Sequence, residues 1–115
     1  MKSIFVGGTE VPVKATGFTT ILFKRFTGTD LMSVLSDQGR EAEKINDVLA
    51  LFYCMSVQAQ EEKIGEMLNR VSDVNDYYEF LNRFNSQALY SQDVLTAVIT
   101  TWVSSSEHSS KAKNG

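Results

Sequence analysis

The chain has 115 residues, 43% of them hydrophobic and 22% charged, with one proline and seven glycines. That is the size of one domain, with enough apolar content for a core and too little charge for wholesale disorder. The net charge is −3, and the bases are scattered (Lys14, Lys24, Arg25, Arg40, Lys44, Lys63, Arg70, Arg83), nearly all with a carboxylate close by. No basic face is left to displace phosphate counterions, which argues against nucleic acid as the main partner.

One cysteine, Cys54, cannot form an internal disulfide and gives no sign of an oxidising compartment. The opening "MKSIFVGGTEVPVK" has no apolar run long enough for a signal peptide. The longest apolar stretch, Val48 to Val57, is about half what a membrane span needs. The expectation is a soluble cytoplasmic protein that no membrane holds.

In chain order, Ser3 to Lys14 predicts a β-hairpin. Ile4-Phe5-Val6 and Val11-Pro12-Val13 flank Gly7-Gly8, a pair that accepts the positive φ angles of a tight turn. Pro12 must lie at an edge or on an unpaired side, and the hairpin must rest on helices. From Thr19 the period lengthens to about 3.6. A first helix is predicted over 19–27, with Phe18, Ile21, Leu22 and Phe26 as its core stripe and Gly28 as its stop. Thr29 then reads as an N-cap, with Asp30 in the first turn of a short second helix carrying Leu31, Met32 and Leu35.

A long third helix, about 40–60, is apolar almost all round in its middle and must be central to the fold. Ile64, Met67, Leu68 and Val71 continue with helical spacing, as an extension or as a separate helix. Tyr77, Phe80, Leu81 and Phe84 mark another helix. Val94, Leu95, Val98, Ile99 and Trp102 mark the last, which Ser91 can cap. From 104 to 115 the chain is polar and is expected to be disordered. The fold class is therefore mainly α: a short hairpin at about 3–14 packed on a bundle of about five helices, one domain over 1–103, then a flexible tail.

No catalytic or metal constellation emerges. His108 sits in the polar tail, away from any fixed partner. Cys54 falls in the apolar centre of the third helix, a poor setting for a thiolate. The carboxylate pairs Glu41/Glu43, Glu61/Glu62 and Asp73/Asp76 lie at helix ends, where the macrodipole and solubility account for them. "SDVNDYYEF" lacks the glycine of a calcium loop. No cofactor site is expected. The aromatics exceed what one stripe per helix needs, and Phe23 and Tyr78 fall partly off the assigned stripes. With Tyr90 and Trp102 they are the candidates for a protein interface, where such side chains are enriched.

The order of elements adds to this reading. A hairpin precedes "TGFTTILFKRFTGTDL", then "INDVLALFYCMSVQA", "YYEFLNRF", a last helix ending "TAVITTW" and a lysine-containing tail. Over residues 3–115 this arrangement resembles the tail assembly chaperones of long-tailed bacteriophages and prophages of Gram-positive bacteria. Phe23 stands where an aromatic, often tyrosine, is expected. Gly28, Asp30 and Leu31 match the junction of the first two helices, and Tyr53 and Met55 match the central helix, all as structural positions.

The resemblance implies a non-enzymatic protein of the host cytoplasm, absent from the finished virion. It implies binding of the tape measure protein, keeping it soluble while the tail tube is built, and assembly into a spiral homo-oligomer. A frameshifted longer form is also implied, recruiting tail tube protein. Two other readings compete. A DNA-binding regulator would need a basic recognition helix, which is missing. A small adaptor or antitoxin-like module with one protein partner would show the same acidic, helical, aromatic-rich pattern.

Overall fold

The computed structural model describes the backbone over 2–36 and 41–114, and the side chains over 2–34 and 44–105. Strands β1 (Lys2–Val6) and β2 (Thr9–Val13) form the expected antiparallel hairpin, closed by the Val6↔Thr9 pair. Gly7 and Gly8 supply the turn with φ of 57° and 86°, a sign that other residues rarely adopt. Alternation sends Ile4, Val6, Val11 and Val13 into the core and leaves Phe5 outside. Counting from the closing pair, Pro12 opposite Ser3 falls at a non-hydrogen-bonded position, so its missing N–H costs the ladder nothing.

Seven helices follow among the described residues: α1 (Thr19–Thr27), α2 (Leu31–Ser36), α3 (Glu41–Gln60), α4 (Ile64–Val71), α5 (Val74–Asn82), α6 (Ser86–Leu89) and α7 (Gln92–Asn114). The fold is thus mainly α with a short hairpin, as the sequence predicts. Two helices more than the expected five arise because α4 is separate from α3 and because Asn85 starts the short α6. Its side-chain oxygen accepts the N–H groups of Gln87 and Ala88.

Helix α3 is the axis. Every residue from Val48 to Gln58 is buried, and β2, α1, α2, α4 and α7 all pack against it. Helix α7 reaches both α3 and β1. It begins as expected, with the Ser91 hydroxyl accepting the Val94 N–H. The polar segment beyond residue 103 continues α7 to Asn114, and Ser105 donates its hydroxyl to the Ala15 carbonyl at 2.7 Å. The packed domain therefore extends at least two residues past its expected edge. Side chains after Ser105, His108 among them, lie outside the described residues.

Gly28 ends α1 in the left-handed region, φ 78°, with its N–H on the Lys24 carbonyl at 2.7 Å. Asp30 is one position earlier than expected. It is itself the residue before the helix, and its carboxylate accepts the Met32 N–H at 3.2 Å. Thr29 does not cap α2, because a carboxylate is available one residue closer to the helix.

The hairpin turn gives a discriminating test. A Cβ on Gly7 would come within 3.1 Å of the Ala88 Cβ, whereas one on Gly8 meets nothing within 4 Å. Both Gly7→Ala and Gly8→Ala should cost about 1–2 kcal/mol for the left-handed backbone. Gly7→Ala should cost more, read as a lower midpoint in urea unfolding.

Candidate interaction surface

Two polar ties and one run of rings set how side chains are shared between core and surface. Gln58, buried on α3, accepts the Thr19 hydroxyl through its Oε1 and donates Nε2 to Thr16 Oγ1 at 2.9 Å. Thr16 N–H in turn donates to Thr19 Oγ1 at 2.9 Å. A buried amide left unpaired would cost about 1–3 kcal/mol, so Gln58 draws Thr19 inward. The buried face of α1 becomes Thr19, Leu22 and Phe23, with Phe26 half-buried beside them. That rotates the helix away from the stripe predicted from apolar residues alone.

The rotation corrects two expectations. Phe23, a candidate contact residue, is 0% exposed and belongs to the core. Ile21, expected inside, is 56% exposed. Trp102 is also a correction: at 8% exposure it continues the buried Val94–Val98 stripe of α7, one turn further on. Neither Phe23 nor Trp102 is available to a partner.

The second tie is the Tyr53 hydroxyl, which lies 2.6 Å from Asp76 Oδ2 and 3.0 Å from the Arg70 carbonyl. Arg70 Nε donates to the same carboxylate oxygen at 3.0 Å, and its Nη1 reaches Gln60 Oε1 and Glu61 Oε2 at 2.9 and 3.1 Å. Burial opposes the Arg70 charge, but the bonds to Asp76 and Glu61 outweigh it and the guanidinium is held above its ordinary pKa. Burial, reinforced by the Asp76 carboxylate, pushes the Tyr53 phenol well above the usual tyrosine range.

Around Tyr53 the rings form a continuous chain. Phe26 lies 5.1 Å from Tyr53 and 4.9 Å from Tyr77; Phe80 lies 5.6 Å from Tyr53 and 5.2 Å from Phe52; Phe84 closes on Phe80 at 5.3 Å. Such pairs add about 0.5–1.5 kcal/mol each beyond burial. Much of the aromatic excess is therefore an internal spine between α1, α3 and α5.

That spine surfaces at Tyr78, 57% exposed, whose ring is 6.3 Å from Tyr77. Tyr90 is also exposed. Burial first, then the Tyr90 phenol, push Tyr77 up to about 12. Tyr78 and Tyr90 are thus the two candidate contact residues that the structure leaves on the surface. Asn75, Tyr78, Glu79 and Asn82 line one side of α5 and border a shallow depression of about 460 Å³. Elsewhere Phe5, at 63%, and Met32 and Ile64 are also exposed. Strict alternation along β1 is a signal that could have marked Phe5.

The residues with chemical potential are otherwise engaged. Cys54 is fully buried, and burial pushes its thiol up to about 12. Asp73 caps α5 by accepting the Asn75 N–H at 3.0 Å, and Asp76 and Glu61 hold Arg70. The Glu41/Glu43 side chains lie outside the described residues. Among the described residues no group of three or more histidine, cysteine or acidic side chains is placed to hold a metal. No helix among them is long and apolar enough to cross a membrane. No family model, curated protein or solved structure matches the chain.

Alkaline pH tests the burial of Cys54 and Tyr77. Both folded values lie above the unfolded ones, 9.0 and 10.0, so the folded chain keeps protons that the unfolded chain releases. Their contribution to stability is complete below about pH 9 and is lost as pH rises towards 12. Ultraviolet difference titration should find Tyr53 and Tyr77 still largely protonated at pH 11 in the folded protein. Full ionisation of all four tyrosines there, with native circular dichroism, would contradict the structure.

Proposed function

We propose that the protein is a non-enzymatic phage tail assembly chaperone, which binds the tape measure protein in the bacterial host and keeps it soluble while the tail tube forms. The observation that carries this reading is the distribution of exposed apolar side chains. Phe5, Ile21, Met32, Ile64, Tyr78 and Tyr90 lie on the hairpin, α1, α2, α4, α5 and the α6–α7 junction. A long helical client with apolar stripes calls for adaptable surface of this kind rather than one deep pocket. Repetition of weak contacts along an oligomer would supply avidity.

The order of hairpin, Gly28-terminated α1, buried central helix and aromatic α5 supports the same reading. These are the segments that carry the sequence resemblance.

The test is size-exclusion chromatography with light scattering, on the protein alone and with the tape measure protein. The expected result is a concentration-dependent oligomer that holds the long partner in solution. A strict monomer that leaves the partner to precipitate would overturn the proposal in favour of a single-partner adaptor.

Two substitutions locate the surface. Tyr78→Ser should weaken partner binding about tenfold, or about 1.4 kcal/mol, with an unchanged melting temperature, since the two residues have similar helix propensity. Phe23→Ser should instead destabilise the fold by about 3–5 kcal/mol, as core aromatic truncations do. Binding and thermal melting of both variants separate the two roles.

A further inference from the structure

The segment between α3 and α4 gives the break no cause of its own; the nearest helix-weakening residue, Gly65, lies inside α4. Residues 61–63 are Glu-Glu-Lys, all good helix formers, and no proline or glycine stands among them. No residue other than glycine has positive φ among the described residues, so α3 ends without a left-handed cap. Lys63 precedes α4 in an extended conformation, φ −95° and ψ 132°, with no side-chain hydrogen bond to the helix.

Helices α4, α5 and α6 also end without a left-handed cap, but most of the helix starts differ. Asp30, Asp73, Asn85 and Ser91 each cap a helix start through a side-chain oxygen. Thr16 accepts the Phe18 N–H ahead of α1, and Gly28 closes that helix.

The charges at the break are also reversed. Glu61 and Glu62 follow the C-terminal end of α3, whose last turn has no basic residue, and Lys63 sits at the N-terminal end of α4. Both placements oppose the helix macrodipoles, which corrects the expectation that the macrodipole accounts for Glu61 and Glu62, although Glu66 and Arg70 within α4 suit its dipole. In an unbroken helix the same three residues would lie mid-helix, where the dipole penalty disappears. What keeps the chain bent is tertiary. Arg70 on α4 reaches back across the break to Gln60 and Glu61, and forward to Asp76.

We propose that residues 61–63 are a hinge that straightens into one continuous helix from α3 through α4, and that two opened chains close on each other by exchanging α4–α7. Every contact between β1–α3 and α4–α7 is then remade with a second copy, at the expense of the Arg70 bonds across the break and of holding Gly65 inside a continuous helix. Exchange of this kind builds a dimer without a new surface. The inference rests on the hinge and not on the identity of the client.

The full-length protein alone tests it. Wild type, Arg70→Ala and Lys63→Ser are each incubated at high concentration and resolved by size-exclusion chromatography with light scattering. Arg70→Ala removes the clamp and should raise the dimer fraction about tenfold. Lys63→Ser provides a side-chain cap for α4 in the bent form and should lower it several-fold.

Spin labels at the exposed Asn46 and Glu66 should report an intrachain separation of about 30 Å in the dimer, the length of twenty helical residues at 1.5 Å each. The monomer should give a shorter distance. If Arg70→Ala fails to fold, Lys63→Ser and the label distance still decide. A dimer fraction indifferent to Lys63→Ser, a wild type that stays monomeric throughout, or a dimer with the monomer's label distance would overturn the proposal. None of these results depends on whether the protein binds a tape measure protein.

Discussion

A helix buried on every side constrains all that surrounds it. From Val48 to Gln58, α3 offers no face to water, so the rest of the chain has to wrap it. The hairpin and α1, α2, α4 and α7 do so directly, while α5 reaches it through rings. Burial of this extent is favourable chiefly through apolar area, but area alone does not fix rotation. Two polar side chains do that. Gln58 and Tyr53 each need partners in the interior, and each selects the element that supplies them. Gln58 orients α1 through Thr16 and Thr19, and Tyr53 orients α4 and α5 through Arg70 and Asp76.

Those two residues also explain how much of the molecule was legible in the sequence. The hairpin, the span of α1, the central position of α3 and the Ser91 cap follow from local patterns: alternation, periodicity and turn chemistry. The rotation of α1 does not. A stripe drawn through Phe18, Ile21, Leu22 and Phe26 takes hydrophobicity as its only guide. The buried stripe includes Thr19, because a partner thirty-nine residues away requires it. Phe23 accordingly moves from candidate contact to core and Ile21 from core to surface.

Of the candidate surface, Tyr78 was legible because it lies off the Tyr77–Phe80–Phe84 stripe, and Tyr90 is likewise exposed. Trp102 was misplaced for the opposite reason. It continues the spacing of Val94 and Val98, and that period was the better guide than the general enrichment of tryptophan at interfaces. The separation of α4 from α3 was one of the two readings that the spacing allowed, and the structure bears it out. No capping residue announces it, and the bent arrangement is held by the packing of Met67 and Val71 and by the Arg70 bonds to Gln60 and Glu61.

Cys54 stands at the centre of this arrangement, with no exposed surface and its thiol held protonated. A modifying reagent in solution can meet it only when the packing around α3 comes apart. The residue is therefore a built-in clock. Its rate of labelling, set against that of an unstructured thiol, measures how often the central helix is uncovered. Because the same helix carries the ties to both α1 and α5, that one sulfur reports the opening of the whole domain rather than of any single element.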